Sequence, residues 1–439
     1  MTNLKKTSVL LGHFAGRFSR GVFWNLVGTV FSQGSVFLTS IVLARILGKE
    51  TFGEFGMILS TILALSGIAQ VATGVTATKY VAEFRDVNKE RAGRVLGLCS
   101  LMTFATGALA TFLLIISASP LAEYTLNAPQ LSSALSISAA FVLFSAMNGF
   151  QIGALSGLES FRSISIYSAL MGISYFILTA FGAKFGGLSG ALAGVALSAF
   201  LRWVVYAILL HKEASKYNIS ILRKEGFKER KILYYFTIPA AASGFTTLPA
   251  IWLSNTFLVH QHDGYMEMGL YSAALTLRTI VLFFPSVINN VAIALINSHK
   301  GSKDRKQYSS SFYLNIKLTF VFAFAGALLM FVSGEKILGV FGDDFINTNA
   351  TLLILLMSIS VVFESMSIAT YQLIQSHGKM WLSFFIIAIP RDLIIVMSAY
   401  FLTQYYASSG LAGAYVLGHF YALSVTTLSI VLMNLHKKV

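Results

Sequence analysis

Apolar residues fill this chain in long runs, separated by short polar stretches. Twelve runs can be marked, at about 21–44, 53–82, 95–118, 132–158, 164–183, 188–210, 232–258, 268–298, 311–333, 349–375, 381–404 and 411–434. At 1.5 Å per residue each can cross ~30 Å of hydrocarbon as a helix. The fifth and sixth nearly merge around Gly186 and Gly187. The pattern predicts an all-α polytopic membrane protein with about twelve transmembrane helices.

The pattern also repeats. Phe52-Gly53-Glu54-Phe55 opens the second run, and Met268-Gly269-Leu270-Tyr271 opens the eighth, 216 residues later. Each half then holds six spans. An even number gives both halves the same orientation, so they are expected to form two six-helix bundles related by a pseudo-two-fold axis along the membrane normal. The expected division is 1–210 for the first bundle, 211–231 for a basic cytoplasmic linker and 232–439 for the second bundle.

Composition agrees with the pattern. The chain is 56% hydrophobic and 11% charged, against roughly 25% charged residues in soluble domains. Its net charge is +14, and the placement of the cations explains it. With a cytoplasmic N-terminus, 23 Lys and Arg fall in inside segments and only Arg45, Lys49, Lys184 and Lys336 fall outside. This asymmetry places both termini in the cytoplasm and leaves no basic soluble domain for nucleic acid. Lys5, Lys6, Arg17 and Arg20 flank an apolar patch too short for a signal peptide, so the start reads as a cytoplasmic amphipathic segment. The lone Cys99 excludes an internal disulfide or a cysteine metal cluster. Outside loops of about 8–15 residues leave no room for a catalytic domain, and there is no Walker A motif. His260, His262 and Asp263 are metal-ligating types in one short loop, with no distant partner identified. They read as solvated loop residues. No cofactor, metal or enzyme activity is expected.

The informative residues are charges inside spans, which cost at least ~2.5–3.5 kcal/mol each at the bilayer centre. Arg278 in the eighth span, Glu364 in the tenth, and Arg391 and Asp392 in the eleventh all lie deep. Lys79 and Lys317 lie nearer cytoplasmic ends, within reach of the interface, and Arg202 is intermediate beside Trp203. Five span cations face two span carboxylates, so an anionic ligand is expected to supply the missing charge. Arginine suits phosphate, because its planar fork donates paired hydrogen bonds. The alternative is internal pairing, Arg391 with Glu364 and Asp392 with Arg278.

Pro239, Pro249, Pro285 and Pro390 fall in spans of the second half and are expected to bend the seventh, eighth and eleventh helices. Asn25, Gln33, Asn148, Gln151, Asn255, Asn289 and Asn290 are either sugar-binding groups or interhelical glue. Tyr80, Tyr167, Tyr271, Tyr371 and Tyr415 are either sugar-stacking or packing residues.

Leu43-Ala44-Arg45-Ile46-Leu47-Gly48 with Phe52-Gly53-Glu54-Phe55, then Lys79-Tyr80-Val81-Ala82-Glu83-Phe84-Arg85, resemble the first two helices of polysaccharide transporters. Leu338-Gly339-Val340-Phe341-Gly342-Asp343-Asp344-Phe345 resembles their loop before the tenth helix. These are the O-antigen and capsule flippases of the multidrug/oligosaccharidyl-lipid/polysaccharide exporter superfamily. The resemblance implies a multi-pass protein of the bacterial inner membrane, with its bundles forming a V. It implies alternating access driven by an ion gradient, and an undecaprenyl-diphosphate-linked oligosaccharide as substrate. Membrane lipid and other polysaccharide-assembly proteins are the remaining expected partners.

The expectation is therefore a lipid-linked oligosaccharide flippase. Arg278, Arg391, Lys79 and Lys317 would bind the substrate, and Glu364 or Asp392 would bind a coupling proton or sodium ion. An ion-coupled multidrug antiporter is the alternative, though it would favour acid-rich helices in the first half. A membrane-embedded biosynthesis enzyme would want a large periplasmic loop or a His and acid cluster.

Overall fold

The computed structural model describes residues 28–433, apart from 222–224, 243, 302–304, 347, 378, 380 and 382. The basic start with Lys5, Lys6, Arg17 and Arg20, and Asn25, lie outside the described residues, as does the side chain of Asn290. Every regular element among the described residues is helical. The longer ones are, in order, α1 (Gly28–Leu47), α2 (Lys49–Gln70), α3 (Thr73–Phe84), α4 (Lys89–Pro120), α5 (Ser132–Gly157), α6 (Phe161–Lys216), α7 (Gly244–Val259), α8 (Gly264–Gly301), α9 (Arg305–Phe341), α10 (Thr348–Ser376) and α11 (Ile389–Leu432).

Ten described stretches are long and apolar enough to cross a membrane. Two of them are double. The 56 residues of α6 would reach about 84 Å as a straight rod, far beyond one bilayer. The helix reverses at Gly187, whose φ of 57° and ψ of −139° leave the helical region; a glycine has no Cβ to oppose this. The two arms then run antiparallel so closely that a Cβ on Gly182 would lie 2.1 Å from the Gly190 carbonyl oxygen. The near-merger around Gly186 and Gly187 is thus a tight hairpin. In α11 Ala407, at φ 44°, makes the corresponding reversal. Counting both arms of each hairpin gives twelve crossings. The second span is itself broken, because Val71 and Ala72 take left-handed φ of 46° and 52° between α2 and α3.

Prolines act through the hydrogen-bond ladder. Pro239 and Pro390 have no N–H to donate backwards, and each follows a π-helical turn, Leu233–Thr237 and Ser383–Ala388. Pro249 and Pro285 sit inside α7 and α8.

The halves are two six-helix bundles, and their symmetry is visible where they cross. A Cβ on Gly53 would strike the Tyr265 carbonyl oxygen at 1.8 Å, and one on Gly269 the Lys49 carbonyl oxygen at 2.1 Å. Gly53 and Gly269 are the repeat-related glycines, and each meets the residue four before the other. Such reciprocity is the signature of a two-fold contact. Phe37 and Phe52 of the first half pack edge-on or tilted against Phe341 and Phe345 of the second, at the same end. Arg45 donates from Nε to the Val340 carbonyl at 2.7 Å, closing the seam.

This is the end with few loop lysines and arginines, and it is charge-poor in that sense, since its remaining loop charges are acidic. One hydrophobic core spans both halves there and through the middle, from Leu43 to Tyr415. At the charge-rich end each half has its own core. One runs from Ala77 to Ile232, the other from Ala292 to Ile430. The bundles therefore join at the charge-poor end and separate towards the other. The segment entering the seventh span docks on the first half: Glu229 accepts from Arg91 Nε at 3.1 Å and Arg94 Nε at 3.3 Å, and the Thr76 and Thr237 hydroxyls meet at 2.9 Å.

Candidate functional site

Between the halves lies a cavity of about 350 Å³, walled by α1, α2, α7 and α8. Its lining is apolar apart from groups such as Gln33, Ser60, Asn255 and Thr276, and contains no charged residue. Two contacts cross beside it, Asn255 Nδ2 to Ser60 Oγ at 2.8 Å and Trp252 Nε1 to Thr61 Oγ1 at 2.9 Å. On α8 the stripe of Ser272, Leu275, Thr276 and Thr279 faces this space. Helical spacing turns Arg278 to the other flank, into the second bundle.

There Arg278 is 6% exposed. Its Nε donates to Ser360 Oγ at 3.0 Å, and its Nη2 donates to Glu364 Oε2. Ser360 and Glu364 are four apart on α10, so one helix face presents both acceptors. The guanidinium carbon lies 5.7 Å from the centre of the Tyr415 ring, which packs in turn against Tyr271 at 6.5 Å. One turn beyond Tyr415, His419 brings Nε2 to 3.5 Å from the same Glu364 oxygen. One partly buried carboxylate thus faces an arginine and a histidine at once.

A second cluster lies nearby. Arg391 donates to Asp392 Oδ1 from Nε at 2.8 Å and from Nη2 at 2.6 Å. Its Nη2 also donates to Thr247 Oγ1 at 2.8 Å, and that hydroxyl donates to Asp392 Oδ2 at 2.9 Å. The three side chains close a ring between α7 and α11. Chain neighbours on a helix do not normally face each other. The long arginine folds back to reach its neighbour.

The alternative of internal pairing holds with its partners exchanged. Arg278 takes Glu364 and Arg391 takes Asp392, because Ser360 and Glu364 look towards α8 while Thr247 draws the other pair towards α7. Arg278 and Asp392 are nearly closed off, whereas the Glu364 and Arg391 side chains retain 23% and 22% exposure. Lys79 and Lys317 are not part of either cluster. Lys79 is exposed on α3, with its ammonium 4.1 Å from the Phe236 ring and 4.9 Å from Tyr80. Lys317 is exposed on α9, on the side opposite buried Asn315 and Thr319. Arg202 keeps a buried Nε with no hydrogen-bond partner among the described residues.

His419, Ser360 and Thr247 were not singled out from sequence. The signal for His419 was present, since an ionisable ring inside a span is unusual on the same grounds as Arg278. Ser360 and Thr247 carry no such signal.

The amides mostly join helices. Asn315 donates to Asn289 Oδ1 at 3.1 Å and to Gln372 Oε1 at 3.2 Å, and Gln372 donates to the Asn289 carbonyl at 2.6 Å. This ties α8, α9 and α10. In the first half, Asn148 donates to the Ala199 carbonyl at 3.1 Å and Gln151 to the Trp203 carbonyl at 3.0 Å. His262 pairs with adjacent Asp263 at 3.0 Å on an exposed turn.

Comparison with known proteins places this geometry. A family model described as polysaccharide biosynthesis protein matches residues 18–296. The chain is 24% identical over 382 residues to the EPS I polysaccharide export inner membrane protein EpsE of Ralstonia solanacearum, covering 85% of this chain and 84% of that one. It is 23% identical over 392 residues to the protein of the same name from Ralstonia nicotianae, with the same coverage. Among solved structures, an inward-facing multidrug resistance MATE family transporter of the MOP superfamily matches with a TM-score of 0.72 at 14% identity, covering 94% of this chain and 99% of that one. An outward-facing structure of such a transporter matches equally, at 0.72 and 16%, covering 96% of each. A MOP superfamily transporter from Pyrococcus furiosus matches at 0.70 and 17%, again covering 96% of each. The fold is that of these transporters. With the match spanning well over half of its length, the chain belongs to the polysaccharide biosynthesis protein family.

Proposed function

We propose that this member of the polysaccharide biosynthesis protein family is a flippase. It carries an undecaprenyl-diphosphate-linked oligosaccharide across the bacterial inner membrane by alternating access, for a surface or exported polysaccharide. Three things support a transporter of this class: the family, the polysaccharide export named in the relatives, and a fold shared with membrane transporters. The positive-inside asymmetry puts the charge-rich end in the cytoplasm with both termini. The described arrangement, joined at the charge-poor end, is then the inward-open one.

The observation that carries the mechanism is the sharing of Glu364 between Arg278 and His419. With His419 neutral, Arg278 and Glu364 neutralise each other. A proton on His419 gives Glu364 a second cation to satisfy and leaves Arg278 with surplus charge. An incoming diphosphate supplies the matching anion. Arg391 beside Thr247, with 22% of its side chain exposed, is the more open guanidinium. Arg278, closed off in the described arrangement, would be reached only as the bundles move. Proton and substrate then favour each other's binding, which is the coupling that an ion-driven carrier requires. Lys79 and Lys317, nearer the cytoplasmic ends, would attract the headgroup at entry. Asp392, held by Arg391 and Thr247, is the other candidate for the coupling ion.

The test is where lipid-linked oligosaccharide accumulates in cells lacking the gene. Build-up on the cytoplasmic leaflet, cured by the wild-type gene and not by Arg278→Ala at equal membrane abundance, is the expected result. Normal surface polysaccharide in the deletion strain would overturn the flippase reading. Full rescue by Arg278→Ala would overturn the role of the arginine.

A further inference from the structure

A second cavity, of about 350 Å³, lies at the charge-poor end, away from both charged clusters. That volume falls within the usual range of small-ligand sites, ~300–1,000 Å³. Tyr124, on the turn after α4, lines it from the first half. Phe257, His260 and Gln261 line it from the end of α7, and Tyr400 and Gln404 from the first arm of α11. Tyr124 is 78% exposed and Tyr400 48%, so both rings offer open faces. Phe257 meets Tyr400 edge to face at 5.3 Å and holds that ring in place.

The polar groups are arranged around these rings. Gln261 Nε2 donates to the Phe257 carbonyl at 2.9 Å, which fixes the amide and turns its oxygen to other partners. His260 Nδ1 contacts the Thr256 carbonyl at 2.8 Å, which leaves Nε2 for a ligand. No Lys, Arg, Asp or Glu lines the cavity. A phospholipid phosphate would find no counter-ion here. Interfacial tyrosines elsewhere in membrane proteins need only lipid headgroups around them, whereas these two border a concave space together with two amides and an imidazole.

We infer that this cavity binds an uncharged carbohydrate. Pyranose rings present C–H faces that pack on aromatic rings, and hydroxyls that pair with amide and imidazole groups. Because both halves contribute, the site is complete only while the charge-poor ends are joined, and a bound sugar stabilises that state. The inference takes from the flippase reading only the side of the membrane it faces. Binding of a free sugar does not depend on lipid transport.

Saturation-transfer NMR on the full-length protein in detergent, with chitobiose and lactose as probes, tests it. Wild-type protein is expected to transfer saturation to sugar ring protons. Tyr124→Ala/Tyr400→Ala is expected to weaken binding by about tenfold or more, while Tyr400→Phe, which keeps the ring, retains it. Size-exclusion profiles and thermal midpoints check that each variant is folded. Equal transfer in the double alanine variant, or none from wild-type protein to either sugar, overturns the inference. A flippase that fails this test would still show leaflet accumulation on gene deletion, so the two readings fail separately.

Discussion

Where the second half buries Arg278 against Glu364, the first half places Ile62 and Asn148, each 216 residues earlier in the chain. Ile62 is fully buried. Asn148 spans to Ala199 with a neutral amide, as Glu364 spans to His419 with a charge. The hinges also correspond, one helical turn out of that register at an offset of 220 residues, with Gly187 turning α6 and Ala407 turning α11. The second spans differ too: left-handed Val71 and Ala72 break one, and Pro285 interrupts the ladder of the other. The shared frame is set by small residues and backbone approach, which charge does not influence. The paired deep charges lie in one copy, while a buried isoleucine and a neutral amide hold the matching positions of the other.

That contrast can be broken by moving residues across the repeat. Ile62→Arg puts a cation into a fully buried site with no acid opposite. Loss of folded protein from the membrane is the expected outcome, read by abundance and size-exclusion profile. Arg278→Ile strands Glu364 and is expected to abolish transport and to cost about 3–5 kcal/mol, seen as a lower thermal midpoint. Adding Glu364→Asn, which copies the first half fully, should return stability to within about 1 kcal/mol and leave transport dead. Recovered transport in the double variant would show that the charged pair is structural.

The symmetric crossing sharpens the comparison. Gly269→Leu would drive a side chain into the Lys49 carbonyl, which a Cβ already approaches to 2.1 Å. The charge-poor ends should then fail to close. Spin labels at Glu50 and Asp343 would report a longer distance than in wild-type protein. Glu229→Gln is the mildest change. It weakens the hold of Arg91 and Arg94 on the linker, and since those arginines are partly exposed the expected loss is about 1–2 kcal/mol.

Helix number and the repeat were legible because they depend on local quantities. An apolar run of sufficient length spans a bilayer wherever it lies. The hairpin at Gly187 was legible as a pair of glycines where two runs met, and the one at Ala407 as the gap between the runs 381–404 and 411–434. That an alanine takes the left-handed turn in the second hairpin was not legible, since alanine gives no hint of it. The deep charges Arg278, Glu364, Arg391 and Asp392 were found because burial of a charge is costly anywhere in the membrane. Their pairing was misassigned, and His419 went unseen although the same argument applied to it.

The sequence by itself determined an all-helical membrane chain of twelve crossings in two related halves, with its ionisable groups deep in the second. Tertiary structure decided which cation meets which carboxylate, that Lys79 and Lys317 lie apart from both pairs, and that Arg278 turns away from the central cavity. Those outcomes depend on how helices 80 or more residues apart are rotated and set in register. A rotation of 100°, the step of one residue, moves a side chain from one neighbour to another without changing any span.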